Sequence, residues 1–363
     1  MRILFISAFS LFLTASALIS SVPSTTKELN AFKEKITLQN AQGMFIRAID
    51  LYYANQTNKM IDAYRELISK FENSTNRDIR VIIAQAMFNA ALGYDAMEDT
   101  QAEDRLYEQI TSKFADLNDT TTETIVANSF FNQALIAYQA NDTKGEMQIY
   151  EKFIKRFEST NNENIHIILA KMMSGLGYIY AKEGKKSEAA DIYNEFVYKF
   201  ENSKNEHVQN LLAGNLLNLG VVYIEMGKLE DGLVSYQKLI EQFKSSIDDD
   251  IIQKIGAAVT NKIEIEICSG IKPSFSDENK KLADKSEYAA LMYEFLQIVY
   301  AAANKRQTDR LERWRDKYSD FSFKKFNVDF DFSDLDKWAE QLKNPEKKWV
   351  KECVSTLKEF SKR

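Results

Sequence analysis

The chain has 363 residues, 45% of them hydrophobic and 28% charged, a balance that excludes intrinsic disorder and supplies enough apolar material for a large core. Its 12 glycines and 3 prolines are too few for a turn-rich β architecture, so a mostly helical chain is expected. The net charge of −6 is modest and dispersed and gives no electrostatic footprint for nucleic acid.

At the N-terminus Arg2 precedes an apolar run from Ile3 to Leu13, then the small residues Thr14, Ala15, Ser16 and Ala17. This order of charge, apolar stretch and small residues predicts a secretory signal peptide over residues 1–17, cleaved after Ala17 or as late as residue 23. An uncleaved signal anchor is the alternative, but Ser7 and Ser10 interrupt a run already short for a span of about 20 residues. The expectation is an exported protein, periplasmic or secreted, with no integral membrane span once the signal is removed; tethering by the uncleaved segment is the second reading. In such a compartment Cys268 and Cys353 either pair or remain free thiols. Asn55, Asn73, Asn118 and Asn141 open N-x-[ST] triplets and are candidate glycosylation sites.

After a lead-in over residues 18–40, the chain repeats itself. "AYRELISKFENS" from Ala63 returns as "LYEQITSKFADL" from Leu106, "IYEKFIKRFEST" from Ile149, "IYNEFVYKFENS" from Ile192 and "SYQKLIEQFKSS" from Ser235. Tyr64, Tyr107, Tyr150, Tyr193 and Tyr236 fall at a constant step of 43, as do Phe71, Phe114, Phe157, Phe200 and Phe243. Apolar residues at helical spacing between each Tyr and Phe exclude a four-stranded propeller blade of similar period. Upstream lies a second helix with columns of its own: Met44, Met87, Phe130, Met173 and Leu216 in one, Ala48, Ala91, Ala134, Gly177 and Gly220 in another. A column restricted to Ala and Gly predicts a close helix crossing, where a larger side chain would force the backbones apart.

In "MSGLGYIYAKEGKKSEAADIYNEF", Met173, Leu176, Gly177, Tyr180, Gly184, Ala189 and Tyr193 stand at the spacings of a tetratricopeptide repeat, and the chain resembles that family. Leu216, Leu219, Gly220, Tyr223, Gly227 and Tyr236 follow the same pattern, with Gly232 in place of an Ala. Earlier units depart from it: Arg47 and Gln133 occupy an apolar position, and Glu98 and Asn141 replace the turn glycine. The resemblance covers residues 41–246 as five units whose extra residues, relative to the family's usual length, extend the first helix. Ile82, Ile125, Ile168 and Leu211 line that extension, with Asp78, Thr121 and Asn164 as candidate caps. The implied fold is an all-α, right-handed superhelical solenoid of helix pairs with a concave face lined by the first helices.

The resemblance also implies a protein or peptide partner on that face, with no cofactor, no metal and no catalysis. The positions that usually point inward include Phe45, Tyr52, Phe88, Leu92, Phe131, Leu135, Tyr138, Tyr178 and Val221, an apolar and aromatic groove for a partner segment. The other reading is a structural or self-associating component whose groove is filled by its own C-terminal region. His166 and His207 have no partner at metal-ligand spacing, and neither a phosphate loop nor a nucleophile elbow is present.

Beyond Phe243 the columns fail: Ile263 and Glu266 stand where a small residue and Tyr are expected, so residues 247–270 are expected to form a capping helix. Residues 274–363 form a helical C-terminal region. There, Arg306, Arg310, Arg313 and Lys317 share a helix face that either touches an anionic surface or, with Asp309, Glu312 and Asp316 interleaved, is ion-paired and solvated. "FNVDFDF" alternates apolar and polar residues and is expected to be an extended segment docking on the protein's own surface. Two amphipathic helices follow, one capped by Ser333 and one starting at Asn344 and Pro345.

Overall fold

The computed structural model describes residues 26–117, 119–304, 310–319, 321 and 332–362. The signal peptide, Asn118, Arg306, Asp309 and all of "FNVDFDF" except Phe332 lie outside the described residues. Among the described residues there are 16 helices and no strand. The chain divides into two compact units, Met1–Met172 and Met173–Arg363.

The first unit contains α1 (Thr26–Tyr53), α2 (Thr57–Phe71), α3 (Arg77–Ala96), α4 (Thr100–Lys113), α5 (Thr120–Gln139), α6 (Thr143–Phe157) and the start of α7 (Glu163–Lys182). Each helix from α1 to α6 packs on the next, and α1 with α3 and α3 with α5 also pack side by side. The second unit contains the rest of α7, then α8 (Lys186–Phe200), α9 (Glu206–Glu225), α10 (Leu229–Phe243) and α11 (Asp249–Cys268). Here α8 to α11 pack in succession and α9 also lies against α11. Stacked helix pairs of this kind form a tetratricopeptide-like all-α solenoid, in which a pair covers its apolar face with its neighbours.

From α3 onward every long helix has 20 residues. Their starts are fixed by a column the sequence reading placed two residues too late. Asn76, Asp119, Asn205 and Asp248 are the N-caps, and each side-chain oxygen accepts from the backbone N–H three residues on. Asp78, Thr121 and Asn164 lie within the first turns instead. Ahead of the cap a hydroxyl turns the chain: Ser74, Thr160, Ser203 and Ser246 each accept from the N–H of the residue two further on. Thus Ser203 in "YKFENS" ends one pair and aims Asn205 at the next.

The tight turn within each pair places one residue in the left-handed region: Asn55, Glu98 and Asn141 at φ 55, 60 and 55°, then Gly184, Gly227 and Gly270 at 73, 74 and 72°. Gly270 belongs to this series, so the backbone register continues through α11 although its side-chain columns change. Position 279, where the step of 43 would bring the next Tyr, holds Asn279, and Ile263 is fully buried in place of the small residue. Glu266, in place of Tyr, accepts from the backbone N–H and Oγ of Ser274 at 2.7 and 2.8 Å and pairs with Lys262 at 2.6 Å. This largely buried cluster fastens the segment after α11.

The C-terminal region caps the array. It contains α12 (Asp277–Ala283), α13 (Glu287–Ala303), α14 (Arg310–Lys317), α15 (Ser333–Gln341) and α16 (Glu346–Ser361). Helices α12, α13 and α15 pack on α11, while α14 and α16 pack on α13. The closest approach is at Gly256, where an added Cβ would stand 2.7 Å from Cβ of Ala289. Phe332, not Ser333, is the N-cap residue of α15.

Candidate functional site

The groove positions sit on the long helices, and a side-chain ladder sets the spacing of those helices. The repeated tyrosines Tyr64, Tyr107, Tyr193 and Tyr236 are buried and Tyr150 is half-buried, and a methyl on Gly177 or Gly220 would overlap the ring of Tyr193 or Tyr236. The Ala/Gly restriction read from the sequence therefore has its cause in a ring. The four buried phenols then meet an amide of the following helix pair. Asn89 Nδ2 donates to Tyr64 OH at 3.0 Å, Asn132 to Tyr107 at 2.8 Å and Asn218 to Tyr193 at 3.4 Å, all across 25 residues. Tyr236 is bonded in the same way by Asn261. Burial pushes Tyr64 and Tyr193 up to about 12 against the partial relief of these amides. At position 175 the amide is replaced by Gly175, and Tyr150 instead donates to Glu146 Oε1 of its own helix at 2.7 Å.

The predicted groove residues fall into two classes. Phe88 and Leu92, at 2% and 7% exposure, are core residues, because α3 is packed by α1, α2, α4 and α5. The ring of Phe88 lies 5.6 Å from that of Tyr107, as Phe45 does from Tyr64, so this aromatic row supports the ladder. An open groove wall at Phe88 and Leu92 is thereby corrected. Helix periodicity shows only which residues share a face, not that a neighbouring helix covers it.

The other class is accessible. On α5 the half-buried Phe131 and Leu135 and the 66% exposed Tyr138 share one face at i, i+4 and i+7. The Lys171 ammonium lies 5.3 Å from the centroid of Phe131. At the end of α1 the half-buried Tyr52 meets the exposed Tyr53, a neighbour the sequence reading passed over, with ring centroids 5.6 Å apart. In the second unit Tyr178 is 53% exposed with Lys182 5.7 Å from its ring centroid, and the equivalent position on α9 is the exposed Val221. Phe131 and Tyr178 thus carry cationic companions that a groove of hydrocarbon alone would lack.

Among the described residues no group of three or more His, Cys, Asp and Glu is placed to hold a metal ion. His166 Nε2 lies 2.7 Å from the Thr160 carbonyl, and His207 is exposed. Cys268 and Cys353 are free. Burial, with Glu264 adding to it, raises the Cys268 thiol, and burial pushes Cys353 up to about 12, so both stay protonated and poorly nucleophilic near neutrality. No described helix is long and apolar enough to cross a membrane.

No curated protein matches the chain. Among solved structures it is similar to the crystal structure of an engineered protein from the Northeast Structural Genomics Consortium, at 14% identity, covering 82% of this chain and 71% of that one with a TM-score of 0.36. A tetratricopeptide repeat family model matches residues 173–203 and 215–246. These matches begin at Met173 on α7 and at Asn215 on α9 and run through α8 and α10, the pairs in which the small column is Gly and the turn residue is Gly. Residues 173–203 and 215–246 are therefore similar to tetratricopeptide repeats, helix pairs that generally mediate protein–protein interaction.

Proposed function

We propose that the chain is a non-catalytic scaffold of the cell envelope or secreted space that holds an apolar segment of a partner protein against its long helices. The observation that carries this reading is the face of α5, where Phe131, Leu135 and Tyr138 offer a continuous apolar strip on a helix otherwise held by its neighbours. Tyr178 and Val221 extend the same chemistry in the tetratricopeptide repeats. The alternative, a self-associating component whose own tail fills the groove, has less support, because the described C-terminal helices pack on α11 and on one another. The signal-like order of residues 1–17 supports the exported setting.

Selection of a random-peptide display library on the immobilised chain tests the reading. Peptides with clustered apolar or aromatic residues are expected, and Leu135→Asp with Tyr138→Asp should weaken their binding about tenfold or more in fluorescence anisotropy. Failure to enrich any peptide, or binding unchanged by the double variant, refutes the groove. For the compartment, N-terminal sequencing of the natural protein should find a chain beginning after Ala17 in the exported fraction. A chain that keeps Met1 and stays in the cytosol refutes export.

A further inference from the structure

We propose that the outer face of α1 joins two copies of this chain, their α1 helices lying antiparallel across a two-fold axis. Helix α1 packs on α2 and α3, whereas α3 packs on α1 and α2 before it and on α4 and α5 after it. Ala41 and Ala48, on the inner side of α1, are fully buried. The outer side carries Ile36, Gln39, Gly43, Ile46, Asp50 and Tyr53, all exposed and spaced alternately by 3 and 4 residues, the step of a helix–helix seam.

Later long helices use the same positions to stack on the pair before them. One step of 43 after Ile46, Asn89 bonds Tyr64 of α2 at 3.0 Å. One step after Asp50, a Cβ added to Gly93 would stand 2.7 Å from Met60 and 2.8 Å from Ile61 of α2. In the column of Gly43, Asn215 donates to Ser174 of the preceding long helix at 2.5 Å. The open face of α1 is therefore continuous with the stacking interface of the array. A face that merely ended the array would be polar throughout. Ile36 and Ile46 instead remain 42% and 40% exposed, and Ile46 stands in the column of the rung amides Asn89, Asn132 and Asn218, where the ladder gives no reason for an isoleucine.

The order of residues along the seam selects the occupant. Laid antiparallel with Gly43 facing Ile46 of the second copy, the seam matches its own reverse at each layer. Ile36 meets Tyr53, the Gln39 amide meets the Asp50 carboxylate, and Ile46 fills the room beside Gly43, where an added Cβ has no neighbour within 4 Å in the chain itself. The exposed Lys33, one turn before Ile36, then flanks the Tyr53 ring of the second copy. Such self-matching is what a two-fold contact requires. Head-to-tail addition is blocked, because α11 is covered by α12, α13 and α15. The seam is separate from the groove strip on α5 and does not depend on it.

Sedimentation equilibrium of the full chain, as its natural host processes it, tests the pairing. A reversible monomer–dimer equilibrium with a dissociation constant of micromolar order is expected. Ile36→Glu with Ile46→Glu should weaken it about tenfold or more, while Val234→Glu, at an exposed position of α10, should leave it unchanged. Gly43→Gln should keep or raise the thermal midpoint of the dilute monomer, since Gln favours a helix more than Gly does and has open space there, yet weaken the dimer by a similar factor; a folding defect cannot do both. Oxidation of the combined variant Ile36→Cys with Tyr53→Cys should give a disulfide-linked dimer that neither the unaltered chain nor Ile36→Cys alone forms, because the antiparallel seam holds the two copies of position 36 about 25 Å apart. A monomer at every concentration, which would give the face to some other protein, overturns the pairing. So does a dimer indifferent to Ile36→Glu with Ile46→Glu, an equal loss in Val234→Glu, or cross-linking through Ile36→Cys alone, the mark of a parallel arrangement.

Discussion

The helix pairs before residue 173 and those after it reach the same backbone with different residues. Before it, the pair turn is closed by Asn55, Glu98 and Asn141, the small column is Ala, and α4 and α6 are capped by Asp99 and Asp142. After it, the turn and the column are Gly, and the cap positions are Lys185 and Lys228, whose ammonium groups lie 5.4 and 5.6 Å from the ring centroids of Tyr180 and Tyr223. The Tyr–Asn rung occurs in both. What the pairs hold in common is therefore the left-handed turn and, at every repeated Tyr but Tyr150, the phenol-to-amide tie, whereas the family signature describes one way of meeting those requirements. A left-handed residue is least strained with a short polar side chain or none, which Glu98 departs from, and a buried ring needs a methyl or less beside it.

The largest test of this equivalence uses pH. Tyr64 and Tyr193 ordinarily titrate near 10.0, and folding holds both at about 12. A raised pKa means that the folded form keeps a proton the unfolded form loses. The stabilisation is therefore complete below pH 10 and disappears as pH rises through 12. On the order of 2 kcal/mol per tyrosine is at stake, and urea midpoints between pH 9 and pH 12 should fall similarly for Tyr64→Phe and Tyr193→Phe relative to the unaltered chain, each variant losing part of the slope. A slope unaffected by one of the two would break the equivalence.

The turn comes next. Gly227→Val forces a β-branched side chain to φ 74° and should cost about 1–3 kcal/mol, read as a lowered thermal midpoint. Asn141→Gly at the matching turn should change it little, and an equal loss would contradict the reading of the turn. The rung itself is worth less: Tyr107→Phe should cost about 1 kcal/mol and Tyr193→Phe less at neutral pH, because the Asn132 amide approaches to 2.8 Å and the Asn218 amide only to 3.4 Å. Chemical denaturation with the Asn132→Leu double-mutant cycle measures the difference. Smallest of all, Glu98→Gly should gain roughly 0.5 kcal/mol, relief of the left-handed strain offset by the looser unfolded chain. A loss on that substitution would mean that Glu98 contributes something besides its backbone.

The array was legible in the sequence because its period is carried by large aromatic residues, and rings such as Tyr107 and Tyr193 have few places to go in a packed helix pair. The caps were harder. Asn76, Asp119 and Asn205 recur at the same step, but polar residues are common around each turn, and the hydroxyl two places earlier that marks Asn76 and Asn205 as caps is replaced by Leu117 before Asp119. Phe88 and Leu92 were misjudged for a different reason: they lie on a helix packed by four others, α1, α2, α4 and α5, and periodicity along one helix does not show which neighbours cover it. The continuation of the register into α11 was masked by Ile263 and Glu266, residues that answer to the absence of a following tyrosine.

The rung also constrains how such a chain changes length. Because Tyr64 bonds an amide 25 positions ahead in the following pair, excising residues 77–119 would deliver Asn132 to the spot vacated by Asn89 and restore the bond with no other adjustment. Any deletion that is not a whole step of 43 would strand a phenol in a dry interior with no amide opposite it. Duplication and loss of whole pairs is consequently the cheap route by which this architecture is lengthened or shortened.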